Sequence, residues 1–256
     1  SGADPDFNTS NDAVTFEDGG ITLATVSNLE INTGTGVGNV SIEGAIAGTS
    51  DGSTTTVDIE AGTGSVSVAG IGTDIGNVTL DGSGGITLNS SITTAGGNID
   101  INDATTLGGA VTLTTANGTV DFASTLDGGV DFDILSGSGA VTITGAIGTS
   151  NALTSLDINQ SAGTGAVTLT GNIGSAGTAG AGITRIGNDG MTGALTFGGT
   201  DYNTSGAQTF IADSFVMSGA DPDFNTSNDA VTFEDGGITL ATVSNLEINT
   251  GTGVGN

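Results

Sequence analysis

The chain contains no cysteine, no histidine and no tryptophan, and its only basic residue is Arg185. The absence of cysteine excludes a disulfide framework and thiolate metal sites. The absence of histidine, cysteine and lysine removes the usual catalytic bases and activated nucleophiles. Paired carboxylates can still cleave glycosides, but a single tyrosine, Tyr202, leaves little surface for stacking sugars. We therefore predict that the protein is not an enzyme, with a polysaccharide-acting β-helix enzyme as the remote alternative.

The charge balance is strongly acidic, because 28 aspartates and glutamates face one basic residue and give a formal net charge of −27. Such a surface repels the phosphates of nucleic acids and of anionic membranes. No apolar run approaches the roughly 18 residues that a membrane span needs. We predict no nucleic-acid partner and no membrane insertion, and the charge favours divalent cations or cationic surfaces instead. Arg185 is expected to form one ion pair with a neighbouring aspartate.

A long internal repeat organises the chain. Residues 1–39 (the first copy) reappear without a change at 218–256 (the second copy), so Ser218 is equivalent to Ser1 and Asn256 to Asn39. Internal repeats of this kind are typical of elongated repeat proteins. The repeat defines one full unit over 1–217 and the start of the next unit over 218–256, and we predict one continuous solenoid over 1–256. We also expect this chain to be a section of a longer tandem array, whose ends are not natural domain ends.

Inside the unit lies a shorter period, marked by triplets that read apolar–polar–apolar. Four of them, at 57–59, 78–80, 99–101 and 120–122, follow one another at equal intervals. Alternation with a period of two predicts a strand with one buried face. Stacked coils would bring such strands into parallel register, about 4.8 Å apart. Together with the 47 glycines of the chain, the period predicts an all-β, single-stranded parallel β-helix of about 21 residues per coil with almost no helix.

Three segments strengthen this prediction: GNVTLDGSGGITLNSSITTAGGNIDI at 76–101, GAVTLTTANGTVDF at 109–122 and GAVTLTGNIGSAG at 165–177. They resemble the filamentous-haemagglutinin type of bacterial surface protein. The resemblance implies a right-handed parallel β-helix that is secreted through the outer membrane and used in adhesion or matrix building. It is a match of composition and period, so it implies a fold type and no particular ligand.

The central residues of the triplets predict two outward surfaces. The first set places acidic side chains on one predicted face: Glu30, Asp58, Asp100, Asp121 and Asp157, interrupted by Thr79. The second set is hydroxylic: Ser41, Ser67, Thr87, Thr112, Thr142 and Thr168. The acidic face has two interpretations, a cation-binding surface with Ca²⁺ between coils and a solvated, repulsive surface that prevents sideways aggregation.

A second cation candidate is the segment DPDFNTSND at 4–12, which recurs at 221–229. Oxygen-bearing residues at alternate positions resemble the opening of a Ca²⁺-binding loop. The candidate ligands are Asp4, Asp6, Asn8 and Asp12, with Asp221, Asp223, Asn225 and Asp229 in the second copy. Thr9 and Thr15 stand where such a loop has glycine and glutamate, so an Asx turn is the alternative. No cofactor other than Ca²⁺ is expected.

These features together favour a mechanical role. Unpaired edges of a solenoid are satisfied by covalent continuation or by head-to-tail stacking of copies. We therefore predict a structural subunit of an extracellular filament, stalk or matrix thread at a bacterial cell surface, whose partners are copies of itself. One unit would form about 10 coils and rise roughly 50 Å. The alternative is the stalk of an adhesin whose binding head lies outside residues 1–256.

Overall fold

A computed structural model describes residues 4–24, 26–49, 54–240 and 245–252. They form an all-β parallel solenoid of roughly 10 turns with about 23 residues per turn. No α-helix occurs in these residues, and none of them belongs to a helix that is long and apolar enough to cross a membrane. The predicted fold class is therefore confirmed, with turns somewhat longer than the spacing of the four regular triplets implied.

Each turn passes three faces, which we name A, B and C in chain order. Face A contains β1 (Asp6–Asn8), β4 (Leu29–Asn32), β7 (Val57–Glu60), β10 (Val78–Asp81), β13 (Ile99–Ile101), β16 (Val120–Phe122), β19 (Val141–Ile143), β21 (Val167–Leu169) and β23 (Leu195–Phe197). Face B contains β2 (Val14–Phe16), β5 (Val40–Ile42), β8 (Val66–Val68), β11 (Ile86–Leu88), β14 (Thr105–Leu107), β17 (Leu126–Asp127), β24 (Asp201–Asn203), β26 (Asp223–Asn225) and β28 (Glu247–Asn249). Face C contains β3 (Ile21–Thr22), β6 (Ile46–Ala47), β9 (Ile71–Gly72), β12 (Ile92–Thr93), β15 (Val111–Thr114), β18 (Asp131–Leu135), β20 (Leu153–Ile158) and β22 (Ala181–Gly187).

Two long strands, β25 (Gln208–Met217) and β27 (Val231–Leu240), run from face C around the corner onto face A. Faces A and C therefore merge into one 19-stranded sheet. On face B, isolated parallel bridges at Ile147 and Ile173 connect β17 with β24. All strand pairs in the described part of the chain are parallel, so each face is a continuous ladder along the axis.

The core is a stack of aliphatic side chains that point inward from all three faces. On face A, for example, Val78 pairs with Ile99 and Ile99 with Val120, and all three are fully buried. Because apolar and polar residues alternate along each strand, the apolar side chains of successive strands point inward and stack directly above one another. A single turn cannot bury this surface, whereas the stack can.

Polar side chains at the corners connect successive turns. Asn98 donates its backbone N–H to Oδ1 of Asn77, at 2.9 Å, and its own Oδ1 accepts from the N–H of Thr119, at 3.0 Å. Buried Thr115 closes its own corner by donating to the carbonyl of Gly118, at 2.7 Å. These bonds satisfy backbone groups that the strand ladders leave open at the corners.

Candidate functional site

The most regular charged surface is a row of side chains on face A. The register places Glu30 beside Asp58, then Thr79, Asp100 and Asp121. Neighbouring strands lie about 4.8 Å apart, so the four carboxylates form a straight row with one hydroxyl between the second and the third. We call Glu30, Asp58, Asp100 and Asp121 the acidic strip.

The fifth residue predicted for this surface, Asp157, lies on face C instead. It pairs with Asp133 below it and with Arg185 above it. Arg185 donates from Nε to Oδ1 of Asp157 at 2.6 Å and from Nη2 to Oδ2 at 2.9 Å. The structure thus confirms an ion pair between the only basic side chain and a neighbouring aspartate, and separates Asp157 from the acidic strip.

The hydroxylic residues do not share one opposite face. Ser41, Ser67 and Thr87 lie on face B. Thr112 lies on face C. Thr142 and Thr168 lie on face A and continue the row of the acidic strip beyond Asp121. The expectation of two separate surfaces, one acidic and one hydroxylic, is therefore wrong, because the turns have three faces rather than two.

The acidic strip is electrostatically strained. Burial raises the pKa of the Asp58 carboxyl, and the neighbouring charge of Asp81 raises it further. Burial, followed by the charge of Asp121, raises the pKa of Asp100 in the same way. Oδ1 of Asp58 is buried and has no hydrogen-bond partner. A stack of like charges at this spacing repels appreciably even in water.

The raised pKa values predict an unusual pH dependence of stability. A carboxyl whose pKa is higher in the folded than in the unfolded state favours unfolding when it is charged. Stability contributed by Asp58 and Asp100 is therefore complete below the unfolded pKa, about 3.9, and is lost as the pH rises through the folded pKa. We expect the melting temperature to rise as the pH is lowered from neutrality toward the unfolded pKa.

Circular dichroism melts across this range check the expectation. The matched control is the double variant Asp58→Asn, Asp100→Asn, which removes two of the titrating groups and should flatten the dependence. A melting temperature that falls steadily on acidification in the original chain would contradict the electrostatic account of the strip.

Arg185 gives a second prediction. Replacing Arg185 with methionine leaves Asp157 and Asp133 as adjacent, uncompensated carboxylates on face C. The Arg185 side chain is 41% exposed, so solvent screens the pair, and we expect a loss of about 1 kcal/mol in the free energy of unfolding. Urea unfolding measures it. Arg185→Lys keeps the charge without the bidentate hydrogen bond, so its free energy of unfolding should fall less. Equal stability of all three chains would show that the ion pair contributes nothing.

The structure shows a side-chain hydrogen bond for some of the predicted cation ligands of the repeated DPDFNTSND segment and a strand position for others. Oδ1 of Asp4 accepts the backbone N–H of Asn28 at 2.8 Å. Asp6 and Asn8 lie on β1 in register with Glu30 and Asn32, so Asp6 precedes the acidic strip in the same row. The carbonyl of Asp12 accepts from Thr9 Oγ1 at 2.6 Å.

In the second copy, Asp221 Oδ1 accepts the N–H of Asn245 at 3.2 Å. Asp223 lies on β26 beside Asp201 and Glu247, and burial, then these charges, raise its pKa. Asn225 donates from Nδ2 to Oδ1 of Asn203 at 2.8 Å. Asp229, like Asp12, lies in the corner that follows. Within the described residues, no three acidic side chains converge on one point as metal ligands do.

Calcium binding remains a prediction that one titration tests. If Ca²⁺ bridges carboxylates of successive turns, millimolar CaCl₂ should raise the melting temperature more than NaCl of equal ionic strength does, because only specific binding adds to screening. Equal shifts in the two salts would exclude the cation site and leave the repulsive interpretation of the acidic strip.

A cluster of aromatic side chains, which was not predicted from the sequence, lies at the boundary between the two units. Six of the ten aromatic residues of the chain cluster there: Phe197, Tyr202, Phe210, Phe215, Phe224 and Phe233. Phe197 contacts four of the other rings, at centroid distances of 4.9 to 6.2 Å. Tyr202 stacks on Phe224 at 4.7 Å. The concentration of aromatic residues in 197–233, in a chain that has few of them elsewhere, could have predicted this cluster.

Polar groups inside this aromatic cluster are hydrogen-bonded as well, and the bond from Gln208 to Asn225 crosses the unit boundary. Gln208, which is fully buried, donates from Nε2 to the carbonyls of Tyr202, at 2.7 Å, and Asn225, at 3.0 Å. The Tyr202 hydroxyl accepts the N–H of Gly199 at 2.8 Å, and burial raises its pKa. The last turns of one unit and the first turn of the next therefore share one packed and hydrogen-bonded core.

The distinguishing features of the described part of the chain are thus the acidic strip and the aromatic cluster at the unit boundary. In comparisons with known proteins, no family model matches the chain, and no curated protein or solved structure matches it.

Proposed function

We propose that the protein is a structural subunit of an extracellular filament, stalk or matrix thread made of tandem solenoid units joined end to end. The observation that carries the proposal is the continuity of the solenoid across the unit boundary. Strand β27, from the second copy, pairs in parallel with β25 along almost its whole length, from Gln208 with Val231 to Met217 with Leu240. A chain that continued with further units would extend the same ladders without interruption.

The charge of the surface supports a thread that stays separate from its neighbours. Exposed strand ladders and flat faces invite lateral association. A net charge of −27 with a single basic residue makes neighbouring threads repel one another at neutral pH. The acidic strip adds to this repulsion on face A, where the strands are most regular.

Electron cryo-microscopy of the native material tests the filament. We expect a continuous thread with a layer line near about 4.8 Å along its axis, because every ladder runs in that direction. Beads separated by linkers, or isolated particles, would contradict the proposal. A thread that ends in a separate globular head would favour the adhesin stalk.

We further propose that this filament lies at the surface of a bacterial cell and belongs with the filamentous-haemagglutinin type of protein. The support is the resemblance of the segments at 76–101, 109–122 and 165–177 together with the parallel solenoid. Antibodies against the chain should label intact cells as strongly as lysed ones. Labelling that appears only after lysis would exclude the surface location.

A further inference from the structure

The two copies of the repeated segment share the pairing of their equivalent strands. In the first copy, β1 pairs with β4 and places Asp6 beside Glu30. In the second copy, β26 pairs with β28 and places the equivalent residues, Asp223 and Glu247, beside each other. One turn of the solenoid therefore has the same length in both copies.

Side chains inside the copies agree as well. The rings of Phe7 and Phe16 meet edge to face at 5.1 Å, and those of Phe224 and Phe233 do so at 5.2 Å. Asn11 and Asn228, which are also equivalent, have left-handed φ values of 69° and 71°. The strand pairing, the ring contact and the turn at this asparagine are thus properties of the segment's sequence, whereas the break between β2 and β3 in the first copy is absent from β27 in the second.

The faces on which the copies lie nevertheless differ. The first copy begins on face A with β1, whereas the second begins on face B with β26, which pairs with β24. The same shift by one face holds for the later strands: β2 lies on face B and the start of β27 on face C, and β4 lies on face A and β28 on face B.

Counting the strands gives the size of the shift. Nine turns separate β1 from the end of β25 on face A, and β26 follows one face later, so one unit spans about 9⅓ turns. We infer that successive units of this protein join with a rotation of about a third of a turn, and that the aromatic cluster is the joint. This inference rests on the proposed tandem filament and specifies its symmetry.

The aromatic cluster holds the start of one unit against the end of the unit before it. Phe224 is fully buried among rings of the preceding unit, whereas its equivalent Phe7, in the first turn that the structure describes, is 38% exposed. The end of one unit therefore forms a surface that the start of the next unit fits. The occupant of that surface is a copy of this chain's own first turn.

The rotation decides how the filament presents its charge. Glu247, the equivalent of the first residue of the acidic strip, already lies on face B. Each following unit would turn its acidic strip to the next face, and the pattern would return after three units, about 28 turns and roughly 135 Å. One unit would rise about 45 Å rather than about 50 Å. The thread would then repel its neighbours from all sides.

Cross-linking tests the face assignment directly, since the chain has no cysteine of its own. In the variant Asp201→Cys, Asp223→Cys the two thiols are in-register neighbours on face B, about 4.8 Å apart at Cα, which a disulfide can bridge. In Thr196→Cys, Asp223→Cys the thiols would be neighbours only if the unit had nine whole turns and its second copy began on face A. The folding control is Asp223→Cys, Glu247→Cys, neighbours within the second copy.

We expect the 201–223 disulfide to form at least about tenfold faster than the 196–223 disulfide, because only the first pair meets the geometric requirement. Faster formation at 196–223, or none at 201–223 while 223–247 forms, would overturn the rotation and leave the filament intact. Failure of the 223–247 control would show that the solenoid stops at the boundary, which would overturn the filament proposal too.

The helical symmetry of the native thread gives an independent readout. We expect a rise of about 45 Å per unit with a rotation of about a third of a turn. A thread in which successive units repeat without rotation would overturn the inference even though a filament exists.

Discussion

Replacing Phe224 with alanine should lower the free energy of unfolding by about 4 kcal/mol, the usual loss for a buried phenylalanine. Phe224 is fully buried and contacts Phe197, Tyr202 and Phe210 at centroid distances of 4.7 to 5.6 Å. Its removal opens a cavity in the aromatic cluster, and the rigid strand ladders around it cannot close that cavity. Urea unfolding followed by circular dichroism measures the loss, and the fluorescence of Tyr202, the only tyrosine, reports on the cluster itself.

The chain contains its own matched control. Phe7 occupies the same position in an identical segment but is 38% exposed, so Phe7→Ala should cost only about 1 kcal/mol. The two variants change the same residue in the same local sequence, and they differ only in what lies beneath the ring. Equal losses would show that the aromatic cluster contributes no stability at the unit boundary.

The second large effect concerns glycines stacked at a corner before face A. A Cβ added to Gly139 would overlap the carbonyl of Gly118 in the turn below, and one added to Gly165 would overlap the carbonyl of Gly139. The backbones of adjacent turns fill this space, so neither turn can move away from the added Cβ without breaking hydrogen bonds between the strands. We expect Gly139→Ala to cost about 3 kcal/mol or more, measured by urea unfolding of the full chain.

Gly72 is the control for this experiment. It lies on β9 of face C, and a Cβ added there meets no atom within 4 Å. Gly72→Ala should therefore change the free energy of unfolding by no more than about 0.5 kcal/mol. A large loss in both variants would indicate that glycine matters through chain flexibility; no loss in Gly139→Ala would mean that the turns are not stacked this closely.

The stacking of the most regular turns could be read from the sequence. The triplets at 57–59, 78–80, 99–101 and 120–122 were predicted to stack, and they form consecutive strands of face A. The prediction succeeded here because the corners in this stretch have equal total lengths, so sequence spacing and spatial spacing agree. From Val141 onward the corners lengthen, and the next strands on face A begin at Val167 and Leu195.

The assignment of strands to faces could not be read from the sequence. An inward–outward–inward triplet looks the same on every face, because each face buries one side only. The triplets at 111–113 and 141–143 both follow the pattern of the second set, but the first lies on face C and the second on face A. Asp157 was grouped with the acidic strip for the same reason, since Leu156-Asp157-Ile158 is a triplet like the others.

The sequence by itself determined the spacing of the most regular turns, the parallel stack and the acidic character of the surface, because alternation and repetition act locally and recur from turn to turn. It also determined that a second unit begins at Ser218. Only the tertiary structure decided that a turn has three faces and which carboxylates lie on the same face. It also decided that the second copy begins one face, or a third of a turn, beyond the face on which the first copy begins. The physical reason is that a face is defined by the summed lengths of all preceding corners, a quantity that no single segment of the sequence contains.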